Sequence, residues 1–360
     1  MTKPRVGILG LACAAPTLRR TQEEALAFAL RVSPPVRDEE KRRIESIYRK
    51  CGVETRGVAS DEHDPLALFR PATPAEPHGP TTAERMHAYA RRAAPLALRS
   101  ASAALTDART EARAITHLIT ASCTGFAAPG WDTTLVRELS LSPDVHRTNI
   151  GFMGCHAALN ALRAARSIAA SEPASRILVC CTEICSIHFK YNARPDQVVA
   201  NALFADGSAS CVVGASDSGF CALGPSASRV LPASDAQMSW SVGDHGFEMT
   251  LATELPATVR DQAGVWLGGW LHEQGLAIDA VRAWAVHPGG PRILVAVAEA
   301  AALGRDQLAA SRTVLARHGN MSSPTVLFIL EHLRRSGALA APTLLLSFGP
   351  GVTAEAMLLT

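Results

Sequence analysis

Short apolar runs alternate with alanine-rich helical stretches along the whole chain, and this alternation most constrains its fold. The strand candidates are Arg5–Leu11, His117–Ser122, Arg176–Thr182, Ser210–Gly214, Ala283–His287 and Thr343–Phe348. The helix candidates are Glu84–Leu105, Ala157–Ala170, Thr258–Gln274, Arg292–Ala302 and Ser323–Ser336. Strands separated by helices predict an α/β protein. The stretch Ala59–Thr82, rich in Pro, His and acidic residues, predicts a surface excursion.

The two halves of the chain resemble each other coarsely. Ala205–Gly214 and Gly349–Leu359 each place a glycine-containing turn before a strand of small and apolar residues. Upstream of each lie a strand, a loop with a candidate catalytic residue and a helix. This repetition suggests a duplicated βαβ unit, with the chain divided into residues 1–215 and 216–360. A length of 360 residues leaves room for two such units.

Composition narrows the range of partners. Lys and Arg number 35 against 33 Asp and Glu, no segment concentrates the charge, and aromatic residues make up only 5%. We therefore exclude nucleic acid as the main partner and expect a small substrate. No uncharged apolar run reaches membrane-spanning length, and the apolar start predicts a buried strand rather than a signal peptide. The nine cysteines show neither disulfide nor metal spacing, so we expect a reduced, cytoplasmic protein without a metal.

Three polar residues stand where these elements meet. Cys155 follows a glycine and opens a helix, where the helix dipole lowers a thiol pKa and favours a nucleophilic thiolate, although a lone cysteine is more often a core residue. His287 ends a strand before Pro-Gly-Gly-Pro, where a histidine reaches a ligand or serves the structure. Asn320 precedes an apolar helix, where capping by Ser322 or Ser323 is the alternative interpretation. Each position is ambiguous alone.

Together, the motifs are specific. Gly-Cys at Cys155, Ala-Leu-Phe-Ala-Asp-Gly around Phe204, His-Pro-Gly-Gly-Pro from His287, Gly-Asn-Met-Ser-Ser around Asn320 and a terminal Phe-Gly-Pro-Gly occur in this order. In these segments the sequence resembles the type III polyketide synthases, the chalcone and stilbene synthase family of the thiolase superfamily. The resemblance extends from about residue 47 to residue 359. It implies a thiolase-like fold, in which duplicated βαβ halves form a layered α-β-α-β-α core.

The resemblance also implies a reaction. Cys155 would accept a starter acyl group from coenzyme A, while His287 and Asn320 would bind the thioester carbonyl of malonyl-CoA and promote its decarboxylation. An imidazole N–H and an amide NH₂ are suitable donors to the resulting enolate. His287 would also hold Cys155 as a thiolate through an ion pair. Iterative condensation would end in a short pyrone or phenolic product, with coenzyme A thioesters as substrates and no metal or redox cofactor.

Further positions follow from the same resemblance. Phe204 matches the first gatekeeper phenylalanine, and Met249 stands at the second, where phenylalanine is usual. Trp240 replaces a glycine of the plant enzymes, and together with His188 it should reduce the cavity and shorten or redirect the growing chain. The other substrate positions are Cys123, Thr124, Cys185 and Ser322. The coenzyme A positions are Arg43, Lys50, Leu251 and Gly289.

Three other functional interpretations of the same motifs stay open. An initiating β-ketoacyl-acyl-carrier-protein synthase shares the superfamily fold and the Cys–His–Asn set but performs one condensation; Gly-Asn-Met-Ser-Ser and Phe-Gly-Pro-Gly favour the polyketide branch. A hydroxymethylglutaryl-CoA synthase needs a catalytic glutamate, for which residues 79–120 offer no clear candidate. A non-catalytic dimer partner would bind coenzyme A without acylation of Cys155. The expected partners are malonyl-CoA, an acyl starter delivered by coenzyme A or an acyl carrier protein, and a second copy in a homodimer, with no membrane.

Overall fold

The computed structural model describes residues 5–60, 68–215 and 219–360, and every predicted strand and helix is present. The strands are β1 (Val6–Ala14), β2 (Arg19–Thr21), β3 (Thr55–Gly57), β4 (His117–Ser122), β5 (His146–Gly151), β6 (Arg176–Ile184), β7 (Asp206–Ala215), β8 (Cys221–Val230), β9 (Met238–Gly243), β10 (Gly246–Leu251), β11 (Ala283–Val286), β12 (Thr343–Gly349) and β13 (Thr353–Leu359). The helices are α1 (Gln22–Val32), α2 (Asp38–Lys50), α3 (Thr82–Asp107), α4 (Trp131–Glu138), α5 (Ala157–Ser171), α6 (Pro195–Leu203), α7 (Leu255–Thr258), α8 (Gly264–Glu273), α9 (Pro291–Ala300), α10 (Ala309–His318) and α11 (Thr325–Arg335). The predicted helix Thr258–Gln274 contains one wide π turn, Val259–Ala263, between α7 and α8.

Five layers of secondary structure enclose three apolar cores. Nine strands form one mixed sheet in the order β11-β12-β13-β8-β1-β7-β6-β4-β5. Helices α5 and α11 pack in the middle, against β1, β4, β6 and β7 on one side and against β11, β12 and β13 on the other. Helix α3 covers the outer face of the first set of strands, and α8 and α9 cover the outer face of the second. This is the predicted α-β-α-β-α order.

The two ends of the sheet repeat one strand pattern. Strand β6 is parallel to β4 and antiparallel to β7, while β12 is parallel to β11 and antiparallel to β13. In the sheet, β1 lies next to β7 and β8 lies next to β13, and β1 and β8 pair with each other at the centre. The two segments that resemble each other in sequence contain β7 and β13, so they occupy equivalent places.

Alanines give the central helix its close packing. Ala157, Ala158, Ala161 and Ala165 on α5 are all fully buried between the two ends of the sheet. Their small side chains let strands approach the helix from both sides. The start of α5, which follows Cys155, is therefore fixed deep in the molecule.

Strand β5 and helix α1 are absent from the elements predicted from the sequence. Strand β5 lies at an edge of the sheet and most of its residues are exposed. Helix α1 begins with a capping box, in which the Thr21 hydroxyl accepts from the Glu24 amide and the Glu24 carboxylate accepts from the Thr21 amide. Both elements border the site described below.

The predicted surface excursion, Ala59–Thr82, is buried in part. Residues 61–67 lie outside the described part of the chain, but Phe69 is buried against Phe28 and Phe189, with ring centroids 5.8 and 6.0 Å away. The excursion therefore contributes an aromatic side chain to the interior. Among the described residues, no helix is long and apolar enough to span a membrane.

Candidate active site

Cys155 lies in a single 3₁₀ turn, Gly154–His156, directly before α5. Its side chain is buried. Gly154 has a φ of +67°, and a Cβ atom there would lie 2.5 Å from Cδ of Pro350. The terminal Phe-Gly-Pro-Gly segment thus packs directly on the turn that contains Cys155, and this close approach requires glycine at position 154.

His287 and Asn320 approach the same point from two other elements. His287 follows β11, where its backbone amide donates to the Leu346 carbonyl over 2.8 Å. Asn320 follows α10, and its Oδ1 atom accepts from the Ser322 amide over 2.8 Å. That bond orients the Asn320 amide and leaves its NH₂ group available, and this side chain acts to lower the pKa of the Cys155 thiol. Ser322 and Ser323 therefore do not cap α11, and the capping interpretation is wrong.

A small cavity joins the three predicted catalytic residues. Its volume is about 20 Å³, which is room for about one water molecule. It is lined by Cys155, Phe204, Met238, Met249, Leu251, His287, Gly289, Ile293, Asn320 and Phe348. Neither ring nitrogen of His287 has a hydrogen-bond partner in the described part of the chain, although the residue is buried. Such a side chain is suited to a ligand that brings the missing partner.

Burial shifts the pKa values of both Cys155 and His287 against the predicted ion pair. Burial raises the pKa of the Cys155 thiol to about 12, although hydrogen bonds from Ser322 and Asn320 oppose the rise. Burial, with a smaller contribution from nearby His156, lowers the pKa of His287 to about 3. Burial therefore favours a neutral thiol and a neutral imidazole in this cavity. It opposes the expected thiolate–imidazolium pair, which stays a prediction.

A second, larger cavity of about 400 Å³ lies on the other side of Phe204 and Met249. Those two side chains line both cavities, so they form the wall between them. Three further predicted substrate residues, Cys185, His188 and Trp240, line the larger cavity. It continues past them to α1 and opens to solvent there.

Aromatic contacts hold the wall at His188 rigid. The His188 ring is stacked on Phe247 at 4.3 Å and meets Trp240 edge-on at 5.4 Å. Its Nδ1 atom accepts from the Phe247 amide, so its Nε2 atom carries the proton and donates to the Thr124 carbonyl over 2.6 Å. Burial lowers the pKa of His188 to about 3. The Trp240 indole donates to the Cys123 carbonyl over 2.7 Å. These residues shape the cavity as neutral, fixed walls.

Glu183 organises the remaining predicted positions, although sequence reasoning missed it. Its fully buried carboxylate accepts hydrogen bonds from the Ser323 hydroxyl at 2.6 Å, the Thr124 hydroxyl at 2.7 Å and the Cys123 amide. Cys123 in turn lies 3.2 Å from the Ser322 hydroxyl. Cys123, Thr124 and Ser322 therefore support the site from behind rather than line a cavity. The available signal was a lone glutamate inside an apolar strand.

A second buried network lies behind the nucleophile. The Glu355 carboxylate accepts from Arg163 and, over 2.9 Å, from the Asn160 side-chain amide. Asn160 then presents its oxygen to Nδ1 of His156 at 2.7 Å, so that nitrogen carries the proton. A Cβ atom at Gly349 would collide with the His156 ring. Gly349, the first glycine of Phe-Gly-Pro-Gly, therefore leaves the space that the His156 imidazole occupies.

The predicted coenzyme A positions divide into two pairs. Leu251 and Gly289 line the small cavity beside the catalytic residues. Arg43 and Lys50 lie exposed on α2 and line neither cavity; Arg43 donates to the Ala193 carbonyl. Within the described residues, no group of three or more His, Cys, Asp or Glu side chains could hold a metal ion.

Comparison with known proteins identifies the family. Residues 2–217 match the family model described as chalcone and stilbene synthases, N-terminal domain, and residues 222–360 match the corresponding C-terminal domain. The chain belongs to this family. It is a type III polyketide synthase, an acyltransferase with the thiolase-like fold that the motifs imply, and its family uses coenzyme A thioesters as substrates.

Relatives extend over most of the chain. The alpha-pyrone synthesis polyketide synthase-like Pks18 of Mycobacterium tuberculosis is 35% identical over 329 residues, which cover 89% of this chain and 82% of Pks18. Type III polyketide synthase 21 of Oryza sativa is 34% identical, covering 72% of this chain and 69% of its own. The crystal structure of PKS-I from the brown alga Ectocarpus siliculosus superposes with a TM-score of 0.91 and 30% identity, over 100% of this chain and 99% of that one.

Proposed function

We propose that Cys155, His287 and Asn320 carry out iterative, decarboxylative condensation of malonyl-CoA onto an acyl starter held on Cys155, with release of a short pyrone or phenolic product. The observation that supports this most is the small cavity shared by a buried thiol, an amide donor and an imidazole that has no hydrogen-bond partner among the described residues. Those three groups are what acyl transfer and enolate formation need. A pyrone product agrees with the printed name of Pks18.

Acylation begins from two neutral groups. As the Cys155 sulfur attacks the thioester carbonyl of the starter, its proton passes to His287, whose ring nitrogens are both available. The carbon–sulfur bond to coenzyme A then breaks, and His287 returns the proton to the departing thiolate. Both residues are neutral before and after the step. This route avoids a lasting ion pair, which the dry cavity disfavours.

Decarboxylation uses the same donors. The malonyl thioester oxygen accepts hydrogen bonds from the His287 ring N–H and the Asn320 NH₂ group. When the bond to the carboxylate breaks and carbon dioxide leaves, its electron pair moves toward this oxygen, where the two donors stabilise the enolate. The enolate carbon attacks the acyl group on Cys155, and the sulfur leaves with the electron pair of the broken thioester. The lengthened chain is now a thioester of coenzyme A. The Cys155 thiolate attacks this thioester, the carbon–sulfur bond to coenzyme A breaks, and coenzyme A leaves as a thiolate that takes up a proton from solvent.

The two residues between the cavities form the gate. A cavity of about 20 Å³ is far smaller than a pantetheine arm, so substrate entry requires Phe204 or Met249 to move. Met249 is an unbranched, flexible side chain, and its rotation costs less than that of a phenylalanine in the same place. We assign coenzyme A to the side of the small cavity at Leu251 and Gly289, with Arg43 and Lys50 near its phosphates.

The deciding experiment is mass spectrometry of products from the purified protein, malonyl-CoA and a panel of acyl-CoA starters. We expect pyrones or phenols that contain two or more malonate units, and none of them with Cys155→Ala. A single-condensation product, or product only after a carrier protein is added, would favour the β-ketoacyl-acyl-carrier-protein synthase.

Trp240 is proposed to limit product length. Its indole is fixed by the hydrogen bond to Cys123 and by edge-on contacts with His188 and Phe247. Trp240→Gly removes this wall, and we expect products longer by at least one malonate unit in the same assay. Trp240→Phe keeps an aromatic wall and serves as the matched control. Unchanged product length in the glycine variant would contradict the assignment.

The active form is proposed to be a cytoplasmic homodimer of chains that each contain two duplicated halves, 1–215 and 216–360. The exposed edge strand β5 leads directly into Phe152 and Met153, both large exposed apolar residues just before Cys155, and Phe126 lies beside Phe152 at 6.0 Å. A second copy would pair this edge and cover the patch. Sedimentation equilibrium of the wild type and of Phe126→Glu tests this, with a monomer expected for the variant.

A further inference from the structure

The larger cavity has a wall that the catalytic scheme does not use. On the side away from Phe204 it runs along α1, where Glu24, Ala27, Phe28 and Arg31 share one helical face. Ala27 and Arg31 are exposed and Phe28 is half-buried, so this face forms a mouth that opens to solvent. The mouth is distinct from the small cavity at Leu251 and Gly289.

The walls between the gate and this mouth are aromatic. Phe28, Phe69 and Phe189 meet edge-on, with centroid distances of 5.5 to 6.0 Å, and all three line the cavity. Such a passage suits the carbon chain of an acyl group that is held by its thioester end at Cys155.

The charges along the passage are predominantly positive. Arg20 and Arg31 stand at the mouth, and Arg56 and Lys190 line the interior, where Lys190 pairs with Glu248 over 3.2 Å. Among the described residues that line the cavity, Glu24 is the acidic one. It lies 4.0 Å from Arg20, at the outer limit of an ion pair. Arg31 rests over the Phe28 ring and has no carboxylate partner in the residues that the structure describes.

Arg56 shows that the positive charge continues inward. Its guanidinium is buried and bonds to the carbonyls of Asn201, Ala202 and Phe204 and to Gln22, with no carboxylate among these partners. Its Nε atom is buried and lacks a hydrogen-bond partner. A buried cation in this state favours an anion nearby, and buried Asp206 already contributes one negative charge.

We infer that the starter is an acyl thioester whose far end bears an anionic group, in the first place a carboxylate, and that Arg20 and Arg31 bind this group at the mouth beside α1. A guanidinium binds a carboxylate through paired hydrogen bonds, whereas an unsubstituted chain end gains nothing from it. Glu24 opposes this binding. The inference rests on the proposed acylation of Cys155 and adds the substrate class to it.

The test compares acyl starters of equal length with and without a terminal carboxylate, from hexanoyl and adipyl to dodecanoyl and dodecanedioyl. The measured quantity is the ratio of kcat/KM for the carboxylated to the plain starter. We expect Arg31→Gln and Arg20→Gln each to lower this ratio about threefold, and the double variant about tenfold, as for ion pairs at a partly exposed rim. Glu24→Gln should raise it. Arg42→Gln, an exposed arginine on α2 outside both cavities, is the matched control.

The phosphates of coenzyme A are another source of anionic groups, so every starter is also supplied as its N-acetylcysteamine thioester, which has none. An equal loss for plain and carboxylated coenzyme A thioesters, absent with the N-acetylcysteamine thioesters, would mean that the mouth binds coenzyme A and would overturn the inference. A ratio unchanged in all variants would overturn it as well. If no thioester acylates Cys155, the proposed function itself fails, which is a different result.

Discussion

The two cavities that meet at Phe204 and Met249 are built in opposite ways. The small one has room for about one water and surrounds neutral, buried groups whose positions are fixed by backbone hydrogen bonds and glycine contacts. The large one is some 400 Å³, aromatic, lined with cations and open at α1. Chemistry common to many substrates depends on the first, and choice among substrates depends on the second. The two can therefore be changed separately.

The largest expected effect separates decarboxylation of malonyl-CoA from condensation, two steps that we place in the small cavity. His287→Gln keeps a polar side chain but changes the donor geometry, and removal of a donor to a developing oxyanion costs about 10²- to 10³-fold in rate. We expect that loss in the release of carbon dioxide from malonyl-CoA. Cys155→Ser should retain this release and lose condensation. If His287→Gln and Cys155→Ser each reduce carbon dioxide release and condensation by the same factor, the two residues do not have separate roles in these steps.

The next effect tests how tightly the small cavity is enclosed. Gly349→Ala forces a methyl group into the His156 ring, and we expect the free energy of unfolding to fall by about 2–3 kcal/mol. Gly268→Ala on α8 is the control, because no atom lies within 4 Å of its Cβ position. It should be neutral or stabilising. Urea denaturation measures both. Adding His156→Ala to Gly349→Ala should recover part of the loss, and strict additivity would argue against the contact.

A third prediction concerns the wall of the large cavity. In the unfolded chain His188 binds a proton below about pH 6.5, whereas in the folded protein burial holds its pKa at about 3. The unfolded state therefore binds more protons in this window, and stability falls as the pH is lowered. Between pH 6.5 and about 5, wild type should lose about 2 kcal/mol more than His188→Asn. Buried Asp206, with a pKa raised to about 6, acts in the opposite direction in both proteins and cancels in the difference. Equal slopes would mean that His188 titrates normally.

The smallest effect concerns the resting nucleophile. With its pKa near 12, the Cys155 thiol should react with iodoacetamide slowly at neutral pH, and the rate should rise about tenfold per pH unit with the thiolate fraction. Peptide mapping by mass spectrometry distinguishes Cys155 from the eight other cysteines. A labelling rate of Cys155 that is already independent of pH near neutrality would indicate a resting thiolate and would support the ion pair with His287.

The sequence predicts the small cavity far better than the large one, for physical reasons. Cys155, His287 and Asn320 stand in motifs where glycines and turns leave few alternatives, so the motif alone indicates their convergence. The large cavity depends on α1, which is not among the predicted helices although Ala25–Leu30 is a short apolar run between charged residues. Its residues meet Phe69 and Phe189 only through long-range packing. Desolvation is likewise invisible in the sequence, so the shifts that burial imposes on the pKa values of Cys155 and His287 could not be predicted from it.

The hydrogen-bonded bridge between Phe204 and Asn320 has one further consequence. The Asn320 amide donates to the Leu203 carbonyl and the Ala205 amide donates to the Asn320 carbonyl, so the gate residue and the enolate donor share one piece of backbone. Laboratory evolution that remodels the main chain at the gate would shift the donor too and sacrifice turnover for each new starter. Substitutions on the distant helix α1 should cost less turnover, because they leave the positions of the reacting atoms unchanged. Libraries aimed at α1 should therefore yield more active variants than libraries aimed at Phe204.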